Sequence, residues 1–140
     1  MLSRLSKREA DILLCLTDTA VAPSNKLPAV DQTGIVEAFN AFLRASQPIM
    51  KVGLRAIILL LEITPKLVGY RRRFRKLSVE QRTEYLNRAI KSFLAPVVNP
   101  VISVFQMLYY GEPSVHAVVG YDPAPQLERC RALRKEERRW

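Results

Sequence analysis

Residues 75–121 read RKLSVEQRTEYLNRAIKSFLAPVVNPVISVFQMLYYGEPSVHAVVGY, and this stretch decides the fold. Ser78 and Gln81 have the spacing of a capping box, in which each side chain binds an otherwise unpaired backbone amide at the start of a helix. The apolar residues that follow recur at three- and four-residue intervals, which predicts an amphipathic helix over residues 79–94. Its predicted inner face comprises Tyr85, Leu86, Ala89, Ile90, Phe93 and Leu94.

Two prolines interrupt the chain after this helix. Pro96 and Pro100 are predicted to separate it from a second helix over residues 101–110, and Gly111 is predicted to end that helix in a left-handed conformation. Residues 115–119 are the sole β-leaning run, and five residues cannot make a sheet alone.

Two upstream helices are predicted from their start signals. Ser6 and Glu9 form another capping box, followed by a narrow apolar stripe. Residues 22–30 contain prolines and small polar residues and are predicted to be a connector. Asp31 is predicted to cap a helix that reaches about residue 45.

A further helix is predicted to begin at Pro48, because a missing N–H costs nothing in the first turn. It should end near residue 64, since Pro65 biases its predecessor away from helical geometry. Residues 56–61 (AIILLL) are apolar on every side, but the run is shorter than the roughly 20 residues of a membrane span. We therefore expect a central helix buried by its neighbours, and a partly exposed docking face is the alternative.

The predicted fold class is all-α, a compact bundle of about five helices plus a charged C-terminal helix or tail. Residues 1–125 form the predicted domain and residues 126–140 the basic helix or tail. A chain of 140 residues with 49% hydrophobic and 25% charged residues suits one folded domain. The only apolar anchors expected in the tail are Leu127, Cys130, Leu133 and Trp140.

The net charge of +9 is carried by two basic clusters. The first, without an intervening acid, comprises Lys66, Arg71, Arg72, Arg73, Arg75 and Lys76. The second, offset by three glutamates, comprises Arg129, Arg131, Arg134, Lys135, Arg138 and Arg139. These clusters permit binding to nucleic acid or to an anionic membrane surface. Nucleic-acid binding is the less favoured of the two, because aromatic residues are not interleaved with the basic ones for base stacking.

The cysteines and the N-terminus predict a cytoplasmic protein. Cys15 and Cys130 are far apart and lack metal-ligand spacing, so two free thiols in a reducing compartment are expected, with a disulfide as the alternative. Residues 1–20 lack a convincing secretory signal. Export is expected only together with a partner that carries the signal.

The sequence predicts no catalytic residue, no cofactor-binding residue and no metal site. The five glycines do not have the spacing of a dinucleotide-binding or phosphate-binding loop. His116 is the sole histidine, so a zinc site or a hydrolytic triad has little support. We expect His116 to be a surface or interface residue.

One ordered set of residues resembles a known family. Phe74, Leu77, Ser78 and Arg82 follow the pattern F-x-x-L-S-x-x-x-R, and downstream positions continue the likeness at Leu86, Ser92, Tyr109, Tyr110, Gly120 and Tyr121. This order resembles the gluconate 2-dehydrogenase subunit 3 family and the helical N-terminal region of long-chain alcohol oxidases of the glucose-methanol-choline type. The likeness extends over about residues 18–121. It departs from the family in lacking a tryptophan near residues 89–90.

The resemblance implies a non-catalytic small subunit that binds and stabilises a separate flavin-dependent oxidoreductase. FAD would belong to the partner subunit, which would oxidise an alcohol, a sugar or a sterol-like hydroxyl. In fused relatives, the flavin domain begins where this chain ends, so a separate subunit is expected. The predicted partner-binding residues are Phe74, Tyr109, Tyr110, His116 and Tyr121, with the first basic cluster beside them.

Overall fold

The computed structural model describes residues 3–21 and 27–137. These residues form α-helices and two short 3-10 helices, joined by turns, and they contain no strand. The all-α class is therefore confirmed. In the described ranges the α-helices are α1 (Lys7–Val21), α2 (Ile35–Ala45), α3 (Pro48–Leu67), α4 (Val79–Ala89), α5 (Ala95–Tyr110), α6 (Pro113–Val119) and α7 (Ala124–Glu137).

Helix α1 lies at the centre of the bundle. It packs against α2, α3, α4 and α5, and the side chains of Ile12, Leu13 and Leu16 are fully buried. The expectation that α3 would be the enclosed central helix is therefore wrong, because α3 exposes a row of apolar side chains. An all-round apolar composition does not determine how many neighbours a helix acquires.

Both predicted capping boxes are confirmed. The Ser6 amide donates to Glu9 Oε2 at 2.8 Å, and the Glu9 amide donates to Ser6 Oγ at 3.3 Å. The Ser78 amide donates to Gln81 Oε1 at 3.2 Å, and the Gln81 amide donates to Ser78 Oγ at 3.3 Å. These contacts satisfy amides that have no partner within the helix, and they place the starts of α1 and α4 where the sequence predicts them.

Asp31 does not cap α2. It lies in the 3-10 helix Val30–Gln32, and α2 begins at Ile35, preceded by Gly34. The Thr33 amide and hydroxyl both donate to the Val30 carbonyl, at 3.2 and 2.6 Å. This local turn takes up the residues after Asp31 and delays the start of the helix. Of the predicted connector, residues 22–26 lie outside the described residues.

Prolines lie inside helices at two predicted breaks. Helix α3 continues past Pro65 to Leu67, because Pro65 falls in the last turn and the Val68 amide still bonds the Thr64 carbonyl at 3.2 Å. Helix α5 begins at Ala95 and not at residue 101. Proline in its first turn removes no helical bond, and the proline in its second turn removes only one.

Helix α4 is shorter than predicted and ends at Ala89. The Ser92 hydroxyl donates to the Ala89 carbonyl at 2.8 Å, and its oxygen accepts from the Leu94 amide at 3.1 Å. These local bonds replace the helical ones between α4 and α5. As a consequence Phe93, predicted on the inner face, is 90% exposed.

The glycine with left-handed geometry is not the one predicted. Gly111 has φ −79° and ψ −8°, whereas Gly120 has φ +73° at the end of α6. The Tyr121 amide donates to the His116 carbonyl at 3.1 Å, as in a glycine-terminated helix end. The β-leaning residues 115–119 are therefore helical, because Pro113 opens a short helix and Gly120 ends it.

Helix α7 begins at Ala124 and has no buried face. Residues 124–136 are exposed, and the predicted anchors Leu127 and Leu133 are both about half exposed. Two leucines and a cysteine make too narrow an apolar stripe to hold a helix against the bundle. Trp140 lies outside the described residues. Cys15 is half-buried against the core and Cys130 is exposed, and both thiols are free.

Candidate partner-binding surface

Two of the predicted contact residues lie in the core. Phe74 is fully buried, with its ring centroid 5.8 Å from that of Tyr85. Tyr109 is also fully buried, and its hydroxyl donates to the Pro28 carbonyl at 2.6 Å. Burial raises the pKa of Tyr109, aided by the neighbouring Tyr110. Because both rings are enclosed by the chain's own side chains, Phe74 and Tyr109 are not accessible to a partner.

The other three predicted residues are accessible. Tyr110 and Tyr121 are 44% and 45% exposed, and His116 is half-buried. The His116 and Tyr121 rings meet edge to face, with centroids 5.2 Å apart. The Tyr121 hydroxyl donates to Gln126 Oε1 at 3.0 Å, which links the end of α6 to α7. We call the three accessible residues Tyr110, His116 and Tyr121 the aromatic edge.

The family-like motif forms one structural unit. Arg82 of α4 donates from Nη2 to the Arg75 carbonyl at 2.6 Å and from Nε to the Phe74 carbonyl at 3.3 Å. Phe74 and Arg75 belong to the 3-10 helix Phe74–Lys76, which packs against α3. The motif residues therefore tie the start of α4 to α3, and their geometry gives them a role within this chain.

Two acidic residues on buried positions are neutralised by arginines. Glu62, fully buried on α3, accepts from Arg75 Nε at 2.9 Å and from the Arg75 amide at 3.3 Å. Glu9 accepts from Arg55 Nε and Nη2, both at 2.8 Å. Burial alone would raise the pKa of Glu9, but the hydrogen bonds from Arg55 and Ser6 outweigh it and hold that pKa below its ordinary value. Arg75 is thus the one member of its basic cluster that is used inside the fold.

An exposed apolar row runs along α3. Its members recur at three- and four-residue intervals, so they share one face of the helix, and all are exposed. At 1.5 Å per residue the row is about 21 Å long. We call it the α3 stripe, and it comprises Ile49, Val52, Ala56, Leu60 and Ile63.

An apolar groove lies beside the N-terminal end of this stripe. It has a volume of about 250 Å³ and is walled by α2, α3 and α5. Gly53 lies within it, and no heavy atom is found within 4 Å of the position that a Cβ there would occupy. Its walls include Phe42, Ile49, Met50, Ile57, Val97 and Pro100. The groove and the α3 stripe together form an extended unpartnered apolar surface, and surfaces of this kind mark interaction sites.

A second open depression is basic. It has a volume of about 670 Å³, and its walls comprise Lys66, Arg71, Arg72, Arg73 and Lys76. We call these five residues the basic loop. None of them forms an ion pair within residues 3–21 and 27–137, and all five are exposed.

The described ranges hold no group of three or more His, Cys, Asp or Glu side chains placed to bind a metal ion. Within the same ranges, no helix has both the length and the apolar character that crossing a bilayer requires. Comparison with known proteins gave no match to a family model, to a curated protein or to a solved structure. The likeness to the gluconate 2-dehydrogenase subunit 3 family therefore stays a prediction from the residues that carry it.

Sequence reasoning gave an exposed face on α3 only as the alternative, and it missed the groove. The stripe has a signal in the sequence, because its spacing is that of one helical face. That signal is hidden by further apolar residues on the opposite face, which pack in the core. The groove has no local signal, since its walls come from three separate helices.

Proposed function

We propose that this chain is a non-catalytic helical subunit that binds and stabilises a separate flavin-dependent oxidoreductase of the glucose-methanol-choline type. The partner holds FAD and oxidises an alcohol, a sugar or a sterol-like hydroxyl, and this chain holds no cofactor. The proposed compartment is the cytoplasm, with export only alongside a partner that carries a signal.

The observation that carries the proposal is the α3 stripe with its groove. An apolar row of about 21 Å with a cleft at one end suits the insertion of a partner's apolar side chains, which is how binding energy concentrates in protein interfaces. The ordered motif from Phe74 to Tyr121 supports a flavoprotein as that partner. The aromatic edge of Tyr110, His116 and Tyr121 is the second proposed contact, and the ring of the buried Tyr109 packs against that of Tyr110.

The test is co-expression of the full chain with the product of any neighbouring reading frame that encodes a flavoprotein, followed by purification of the chain. We expect a stoichiometric complex whose FAD absorbance is bleached by an alcohol or sugar substrate. Gly53→Leu should place an apolar side chain in the groove, where its Cβ meets no heavy atom within 4 Å, and weaken the complex about tenfold or more. Ile49→Ser should weaken it through the stripe.

Val79→Ser is the matched control for Ile49→Ser, because Val79 is an exposed β-branched residue on α4 that belongs to neither the α3 stripe nor the aromatic edge. It should leave the complex intact. The proposal is contradicted if no flavoprotein is captured. It is also contradicted if the Gly53 and Ile49 variants bind the flavoprotein as tightly as the native chain does. A homodimer that Gly53→Leu dissociates would assign the groove to a second copy of this chain instead.

The aromatic edge is tested separately. Tyr110→Ala and Tyr121→Ala should weaken the complex while circular dichroism shows unchanged helicity, because both side chains are exposed. Intact binding by both variants would remove this edge from the interface. The chain purified alone should retain no FAD, and a stoichiometric yellow chromophore on it would contradict its proposed role.

A further inference from the structure

Three exposed apolar side chains lie at the end of α3 and in the turn between α4 and α5. Phe93, in the turn between α4 and α5, is 90% exposed, and Leu67, at the end of α3, is 78% exposed. Val68 follows Leu67 and is 55% exposed. Val68 and Phe93 line the same cavity, so the two segments meet there. We call Leu67, Val68 and Phe93 the apolar tip.

The basic loop is continuous with this tip. Lys66 directly precedes Leu67, and Arg71, Arg72, Arg73 and Lys76 follow within the same loop. Arg71 has φ +57°, a left-handed backbone that side chains other than glycine adopt rarely and at a cost. The turn at Arg71 precedes the 3-10 helix that Arg75 fixes to Glu62, so the loop is anchored at the base.

This combination suits a lipid surface better than a protein partner. The cores of protein interfaces are depleted in charged residues, and in lysine particularly. Here five cations that form no ion pair among the described residues flank the exposed Leu67 and Val68 along the chain. Proteins at a membrane interface place apolar residues at the acyl boundary and basic residues among anionic headgroups.

The cavity beneath the tip has an unused polar group. It has a volume of about 270 Å³ and is lined by Tyr70, Tyr85, Arg88 and Ser92 as well as by Val68 and Phe93. The Tyr70 hydroxyl is buried and has no hydrogen-bond partner among the described residues. A buried hydroxyl without a partner is costly. An oxygen of a lipid ester or phosphate would accept its hydrogen bond once the side chains that cover the hydroxyl shift on binding.

We propose that the apolar tip and the basic loop form a docking site for an anionic lipid bilayer. Leu67, Val68 and Phe93 insert at the boundary of the acyl chains, and the basic loop contacts the phosphates. This inference is separate from the proposed flavoprotein partner, because none of the residues of the apolar tip or of the basic loop belongs to the α3 stripe or to its groove. It places the bundle on a membrane without any spanning helix.

The test is co-sedimentation of the full chain with vesicles of phosphatidylcholine alone or mixed with phosphatidylserine. We expect binding to the mixed vesicles only, weakened at high ionic strength because salt shortens the range of the attraction. Replacing Arg71, Arg72 and Arg73 together by glutamine should weaken binding about a hundredfold, since each basic residue near the surface contributes about fivefold. Phe93→Ser should weaken it about tenfold or more through lost apolar burial.

Matched controls separate a site from a general charge effect. Replacing Arg129, Arg131 and Arg134 of the exposed α7 by glutamine removes the same charge and should change vesicle binding little. Ile49→Ser removes an apolar residue of the α3 stripe that is 74% exposed and should also have little effect. Circular dichroism of each variant checks that the fold is retained.

Three outcomes would overturn the inference. The first is an equal loss of binding in the α7 variant, which would show that net charge alone drives it. The second is full binding by Phe93→Ser, which would show that no insertion occurs. The third is binding to duplex DNA with no binding to the mixed vesicles, which would assign the basic loop to nucleic acid.

Discussion

Replacement of Gly53 by alanine should stabilise the protein. Gly53 lies inside α3, and an added Cβ would meet no heavy atom within 4 Å. Glycine in a helix interior is about 1 kcal/mol less favourable than alanine, since it loses more backbone entropy on folding. With no packing cost to offset that gain, we expect the free energy of unfolding to rise by about 0.8–1 kcal/mol. For a chain of this size the midpoint temperature should rise by about 4 °C.

The measurement is urea and thermal denaturation followed by circular dichroism, with an unchanged dependence on urea concentration. Gly111→Ala is the matched control of opposite sign. A Cβ on Gly111 would lie 2.9 Å from the Met107 carbonyl oxygen, so the backbone must shift. Overpacking of this kind costs about 1–3 kcal/mol, and we expect a net loss of about 1 kcal/mol. A lowered midpoint for Gly53→Ala would refute the reasoning, because it would mean that the groove is closed around Gly53 in solution.

The remaining predictions concern contacts that hold the fold together. Ser78→Ala should lower the free energy of unfolding by about 1 kcal/mol through loss of the α4 cap, and an unchanged urea midpoint would contradict that role. Tyr109→Phe should cost about 1 kcal/mol, because the Pro28 carbonyl loses its donor; a midpoint equal to that of the native chain would show that the bond contributes nothing. Glu9→Gln should cost about 2 kcal/mol near neutral pH, a value below that of a fully buried pair since Arg55 is partly exposed. Because the folded-state pKa of Glu9 is lowered, its contribution is complete above the unfolded pKa of about 4.3 and is lost as pH falls through the lowered value. The Glu9→Gln variant should therefore lose less stability on acidification than the native chain does, as measured by urea midpoints across that pH range. An identical pH dependence in the variant and the native chain would refute the lowered pKa of Glu9.

Helix starts were predictable where a side chain caps its own helix. Ser6 with Glu9 and Ser78 with Gln81 are local pairs, so the residues that specify the start are adjacent to it. Helix ends were less predictable. Proline is a weak terminator in a first or last turn, as at Pro65, because few backbone bonds depend on it there.

The candidate contact residues also include features that the sequence could predict and features that it could not. Sequence reasoning selected Tyr109 and Tyr110 together as an aromatic pair, and adjacent positions on a helix point in different directions. The structure buries Tyr109 against the Pro28 carbonyl and leaves Tyr110 exposed. The tyrosine that faces inward is the one whose hydroxyl reaches the Pro28 carbonyl, in a segment far away along the chain.

The sequence by itself determined the helical class, the two capped helix starts and the uneven distribution of charge. Each of these depends on residues within one or two turns of each other, so local hydrogen bonding and composition suffice. Only the tertiary structure decided that α1 lies at the centre, that α3 keeps an apolar stripe exposed, and that Arg75 turns inward to Glu62 while its basic neighbours face outward. These features depend on which helices pack together. Packing is set by the burial of side chains from distant segments, and no single stretch of the chain contains that information.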